Sequence, residues 1–211
     1  MILLAFFTWN KKRFPPRNAF HSSNFAESKA FKVVNELEKL GYFSLADKDN
    51  LEAIKENCAF NIYEHGIIGS LIYANNEVLR DFRYLSADGE ALMNKTGIRG
   101  YLNLIVKFIE KHGVLIKDCE YTTNRSDFVQ RIKINDRDFD IFNSDGKPVT
   151  TDDFKSIQRN IVFFVNEELK NYNSSEQIYH TEAGGFYILT KRLFDYITTL
   201  PVAENHRPLT V

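Results

Sequence analysis

The sequence predicts an α+β protein, a helical N-terminal part followed by an α-β-β-β-α-β-β-α region with a mainly antiparallel sheet. Three observations carry this. Apolar residues recur at helical spacing in several separate stretches. Between them lie short runs that alternate apolar and polar residues. These runs are joined by turns too short for a parallel crossover.

The first helix is expected from Asn24, a capping residue with Glu27 three positions on. Ala30, Val33, Val34, Leu37 and Leu40 form its apolar face, and Gly41 ends it. A second helix repeats the logic, with Asp49 as cap, Leu51, Ile54, Cys58 and Ile62 as stripe, and His65-Gly66 as stop. Cys58 therefore reads as core. The pattern from Ile67 to Ala87 is weak; Val78 to Leu85 fits one strand, and Asp88-Gly89 fits a turn. Ile98, Leu102, Ile105, Phe108 and Ile109 mark a helix from Gly97 to His112-Gly113.

Strands are expected at Val114–Tyr121, at Phe128–Ile134 with one wet face, and around Phe139 and Ile141. Thr122 to Ser126 and Asn143 to Pro148 read as loops. Asn135-Asp136 is a tight-turn dipeptide, because both residues tolerate positive φ. The longest helix follows, capped at Thr150 or Thr151, with Phe154, Ile157, Ile161, Phe164, Val165, Leu169 and Tyr172 on one stripe. Two short strands, Gln177–Thr181 and Phe186–Leu189, then flank Gly184-Gly185. Thr190 caps a last helix that stops before Pro201.

The divisions expected are a tail over 1–20, a helical subdomain over 21–95, an α+β subdomain over 96–200 and a tail over 201–211. The two subdomains can equally form one continuous domain.

Composition excludes several classes. With 27 basic and 28 acidic residues the net charge is −1, so direct nucleic-acid binding is not expected. The two cysteines, Cys58 and Cys119, form neither a disulfide framework nor a zinc motif, and free thiols suit the cytoplasm. Met1 to Phe7 is too short for a signal core, and Lys11, Lys12 and Arg13 follow it instead of preceding it. Packing of this segment on the body is favoured over a short membrane-surface anchor.

No nucleophile elbow, phosphate loop, dinucleotide fingerprint or zinc-helix motif occurs. No catalytic residue, metal ligand or cofactor is therefore assigned. His65 and His112 read as helix-terminal residues that face the free carbonyls. His180, beside the glycines, is the histidine to test. Asp136, Asp138 and Asp140 alternate along one strand, with Asp145 close by. A solvated edge or an acidic binding face explains them better than a metal site. The element order also matches restriction-endonuclease-like nucleases, but the D/E-x-K unit such enzymes use is missing around Asp138-Phe139-Asp140 and Arg131-Ile132-Lys133.

Leu85-Ser86-Ala87-Asp88-Gly89-Glu90, Gly97-Ile98, His112-Gly113 and the stretch Tyr179 to Thr190 together resemble bacterial immunity-type proteins that accompany secreted polymorphic toxins. The similarity spans residues 28 to 198. It implies a cytoplasmic, non-enzymatic protein that neutralises a cognate toxin by occluding it, with no catalytic residue carried over. The expected partner-binding residues are Asp136, Asp138, Asp140 and Asp145. The alternatives are a divergent metal-dependent nuclease using the same aspartates and a peripheral membrane scaffold anchored by residues 1–13.

Overall fold

The computed structural model describes residues 29–69, 71–74, 77–85, 89–124, 129–143 and 151–210. The Asn24 cap, the 1–13 segment, Thr150 and Asp145 lie outside these residues. The class is α+β as expected, with every strand pairing antiparallel.

Helices α1 (Lys29–Lys39) and α2 (Leu51–His65) open the described chain. Gly41, with φ +83°, closes α1: its amide donates to the Glu38 carbonyl and that of Tyr42 to Leu37. This satisfies carbonyls the helix end leaves open. Gly113 and Asn173 close the two long helices in the same left-handed way. The start of α2 differs from expectation. A 3-10 turn, Lys48–Asn50, leads into it, and the side chain of Asp47, not Asp49, accepts the capping hydrogen bond, from the Asp49 amide.

The weakly patterned region holds three short strands instead of one. β1 (Leu71–Ala74) and β2 (Glu77–Arg80) form a hairpin, and β3 (Tyr84–Leu85) joins another sheet. The expected continuous strand over 78–85 breaks because Phe82 takes φ +57°, a conformation no strand contains. Helix α3 (Gly89–Glu110) begins at Gly89, eight residues before the expected Gly97, so that glycine starts a helix and makes no separate turn. The division placed at 95/96 thus falls inside a helix.

β4 (Cys119–Asn124), β5 (Val129–Ile134) and β6 (Arg137–Asn143) form a three-stranded meander. Residues 114–118 stay outside the ladder, while Thr122 to Asn124, expected as loop, lie within it. The hairpin turn needs only Asn135 at positive φ, +53°. That conformation aims its side chain at the preceding loop: Oδ1 accepts from the Lys117 amide at 2.9 Å and Nδ2 donates to the Leu115 carbonyl at 3.1 Å. A bulge at Ile141 shifts the β5–β6 register, and both Ile141 and Phe142 are buried there.

Helix α4 (Thr151–Asn171) packs on β6 and on β7 (Glu176–His180). Two of its asparagines serve sheet edges. Asn160 Nδ2 donates to the Ile141 carbonyl at 2.8 Å. Asn166 accepts from the Ile178 amide at 2.8 Å through Oδ1 and donates to the Ile178 carbonyl at 3.4 Å. The carboxamide thereby stands in for a neighbouring strand. Beyond Pro201, Leu209 bridges to His180 on the same edge. β8 (Phe186–Thr190) runs into α5 (Lys191–Thr199), and Thr190 Oγ1 accepts from the Leu193 amide as expected.

The sheet β3-β8-β7 lies between two cores. Leu85, Ile178, Phe186 and Ile188 face the core built with α3, α4 and the meander. Tyr84, Tyr179, Tyr187 and Leu189 face the core built with α1, α2 and α5. Alternation along a strand sends neighbours to opposite sides, so a strand apolar on both faces can join two cores.

Two glycines shape the slot for the Tyr84 ring. A Cβ on Gly185 would stand 2.8 Å from Tyr84 Cε2, and one on Gly69 would stand 2.8 Å from Tyr84 Cγ. Gly69 also takes φ +153°, which L side chains seldom adopt. Gly69→Ala is expected to destabilise the fold by about 2 kcal/mol or more, from overpacking plus backbone strain. An unchanged urea midpoint would show that the slot has slack.

Candidate functional site

Two places concentrate chemistry-bearing side chains: the outer face of the meander and a buried polar cluster beside β3.

On the meander, Ile132, Ile134, Phe139 and Ile141 point into the core. The residues between them point outward. Asp138 and Asp140 are exposed on that outer face, and Asp136 is exposed in the β5–β6 turn. The three aspartates are thus neighbours, but not alone. In register, Glu120, Lys133 and Asp138 form one cross-strand row, and Thr122, Arg131 and Asp140 form the next. Arg131 Nε stands 2.5 Å from Asp140 Oδ1. The face expected to be acidic therefore carries alternating signs. Arg131 and Lys133 were visible in the sequence as the polar phase of a strand, but their pairing depends on register.

The second cluster starts from Asp81, which is fully buried. Its Oδ1 accepts from the Arg83 amide at 2.8 Å and the Tyr84 amide at 3.0 Å. Its Oδ2 accepts from the Tyr42 hydroxyl at 3.3 Å. Anchoring both amides holds Phe82, between Asp81 and Arg83, in its left-handed conformation. Lys111 lies over the Phe82 ring, with Nζ 5.1 Å from the centroid.

Arg83, 4% exposed, reaches across the cluster. Nε donates to the Tyr42 carbonyl at 3.2 Å, and one terminal nitrogen donates to Ser44 Oγ at 3.0 Å. The other pairs with Glu176 and with the Ile188 carbonyl. Glu176 also faces His112, Oε2 to Nδ1, at 2.6 Å. The other His112 nitrogen, Nε2, lies 2.6 Å from the Phe82 carbonyl. Two oxygen atoms then flank the ring. His112 follows α3 as expected for a helix-terminal histidine, but its ring turns inward to this cluster.

Burial alone would raise the Glu176 carboxyl. The hydrogen bond from His112 and the charge of Arg83 outweigh burial and hold it below the usual value of 4.5. Desolvation pushes the Cys58 thiol up, with Asp81 nearby adding to it, so Cys58 stays a neutral core group. The buried hydroxyls of Tyr42 and Tyr187 are likewise raised by desolvation first. Every polar group of the cluster thus has a partner inside the protein.

His180 is half-buried on β7. Burial lowers its pKa, Arg159 adds to that, and a hydrogen bond to the Thr181 main chain and the charge of Glu182 oppose it. Among the described residues no group of His, Cys, Asp or Glu is placed to hold a metal ion, and no helix is long and apolar enough to cross a membrane.

The sequence reading missed Asp81, Arg83 and Glu176 entirely. Arg83 and Glu176 stand far apart in the chain, and nothing in either segment marks its partner. A basic residue inside an otherwise apolar run, Phe82-Arg83-Tyr84-Leu85, was the one available signal.

Breaking a buried ion pair leaves an uncompensated charge. Arg83→Met is therefore expected to lower stability by about 3 kcal/mol in urea titration. Glu176 is lowered in the folded state, so its contribution is complete above the ordinary carboxyl value and is lost as pH falls through the folded value. Glu168, raised by desolvation, shifts the opposite way but is common to both proteins. The stability difference between the native chain and Glu176→Gln should therefore shrink as pH drops below about 4.5. A pH-independent difference would refute the pairing. Comparison with protein-family models, with characterised proteins and with solved structures finds no match for this chain.

Proposed function

We propose that the chain is a non-enzymatic protein-binding module, acting in the cytoplasm, that docks its partner on the outer face of β4, β5 and β6. The observation that carries this reading is the charged ladder on that face. Glu120, Lys133 and Asp138 in one row, with Arg131 and Asp140 in the next, stand on a sheet whose reverse side is core. Packing from behind fixes the backbone, so docking costs little ordering. Alternating charges set register and reject wrong partners more than they add raw affinity. The buried titratable cluster supports the same reading, because Arg83, His112 and Glu176 spend their hydrogen bonds on one another and on main-chain groups.

The partner class follows from the resemblance in residues 85–90, 97–98, 112–113 and 179–190: a toxin domain held inactive by occlusion. Asp136, Asp138, Asp140 and Asp145 are the contact residues proposed, now with Arg131 and Lys133 beside them.

Affinity capture with the tagged chain in its native host, read by mass spectrometry, is expected to recover one stoichiometric protein partner. The Asp138→Lys, Asp140→Lys double variant should weaken that complex at least tenfold, chiefly by faster dissociation. Undiminished binding by this variant would remove the face from the interface. Cleavage of plasmid DNA with Mg²⁺ or Mn²⁺ would instead favour the nuclease alternative.

A further inference from the structure

The outer edge of β4 is the feature that neither the fold nor the partner face explains. The direction of its main-chain groups follows from the hairpin beside it. The two-residue turn Asn135-Asp136 is closed by Ile134 and Arg137, a pair that exchanges hydrogen bonds. Alternation then turns the main-chain groups of Lys133 and Arg131 toward β4, where they meet Glu120 and Thr122. The hydrogen bond from the Asn135 amide to the Asp118 carbonyl, 2.8 Å, has the same parity. The amides and carbonyls of Cys119, Tyr121 and Thr123 therefore point away from the sheet. Among the described residues none of them has a main-chain partner on that side.

The other long edges are guarded. Asn166 and Leu209 occupy β7. β6 carries a bulge at Ile141 and gives that carbonyl to Asn160. β4 has neither device, and Cys-Glu-Tyr-Thr-Thr-Asn holds no lysine, proline or glycine to discourage pairing. Such an edge is a template for another strand.

The geometry points to a second copy of this chain as the occupant, with β4 pairing antiparallel to β4 of the other copy about a twofold axis at Tyr121. Side chains on one face must oppose side chains on the same face. Centring on Tyr121, whose main-chain groups point outward, sets Cys119 opposite Thr123 of the other copy and Glu120 opposite Thr122. Glu120 is the only charge on the strand, and this register places a neutral residue across from it. The two Glu120 side chains lie diagonally across the axis and not directly opposite, and two meanders join into one continuous sheet. The outer faces then lie on the same side of that sheet.

The test measures mass in solution across a wide concentration series by analytical ultracentrifugation. The native chain should approach twice the monomer mass as concentration rises. Thr122→Glu sets a second carboxylate opposite Glu120 and should weaken the dimer at least tenfold. Thr122→Lys sets an opposite charge there and should tighten it. Position 122 is exposed, so both variants should fold. Thr123→Pro removes an outward amide and should leave a monomer with unchanged circular dichroism. A chain that stays monomeric throughout, or a dimer indifferent to the charge at position 122, would overturn the proposal.

Discussion

The fold depends on β8 being apolar on both sides. Phe186, Tyr187, Ile188 and Leu189 are each 1% exposed or less. A sheet strand in contact with water on one face would alternate with polar residues. Here both faces are taken, one by the core under α3, α4 and the meander, the other by the core under α1, α2 and α5. Neither core is complete without β8. The tyrosines on its second face need hydrogen-bond partners inside, which is why the Tyr187 hydroxyl reaches the Ile68 carbonyl at 2.7 Å.

The Arg83–Glu176–His112 cluster acts at the boundary of the same sheet. Arg83 precedes β3, Glu176 opens β7 and His112 follows α3, so three elements meet at one ion-paired point. Buried pairs of this kind add little net stability compared with an apolar replacement, yet leave any partial arrangement with a bare charge. Their effect is to penalise misregistered docking of α3 against the sheet. The left-handed Phe82 belongs to this arrangement, since its carbonyl must turn to His112.

The helices were legible because their apolar stripes keep helical spacing and several of their ends carry residues such as Gly41, Gly113 and Thr190, whose conformational roles are local. β8 and the Asn135 turn were legible for the same reason. The region 67–87 was not. Its strands are four residues or fewer, too short to establish a period, and Asp81 and Phe82 form a turn without proline or glycine. The outer face of the meander was legible only in part. Aspartates at alternate positions of β6 follow from the strand pattern, but their neutralising neighbours on β5 depend on register, including the Ile141 bulge. The buried ion cluster left a single trace, Arg83 inside an apolar run, because its members are distant in sequence and each segment satisfies a different local rule.

The pairing of Tyr84 with Tyr187 has a kinetic side. Strand β3 must wait while α3, the meander and α4 are made before β8 emerges. Long-range closures of this kind slow folding, because chain entropy is lost before contacts return it. During synthesis α1 and α2 therefore present the bare floor of their core, including Ile54, Cys58 and Leu37, to the surrounding solution. Apolar surface left open in that state favours aggregation. The intervening segment, with its local hairpins and helix contacts, can collapse first. The joint between the cores thus sets the order in which the protein is assembled as well as its final cohesion.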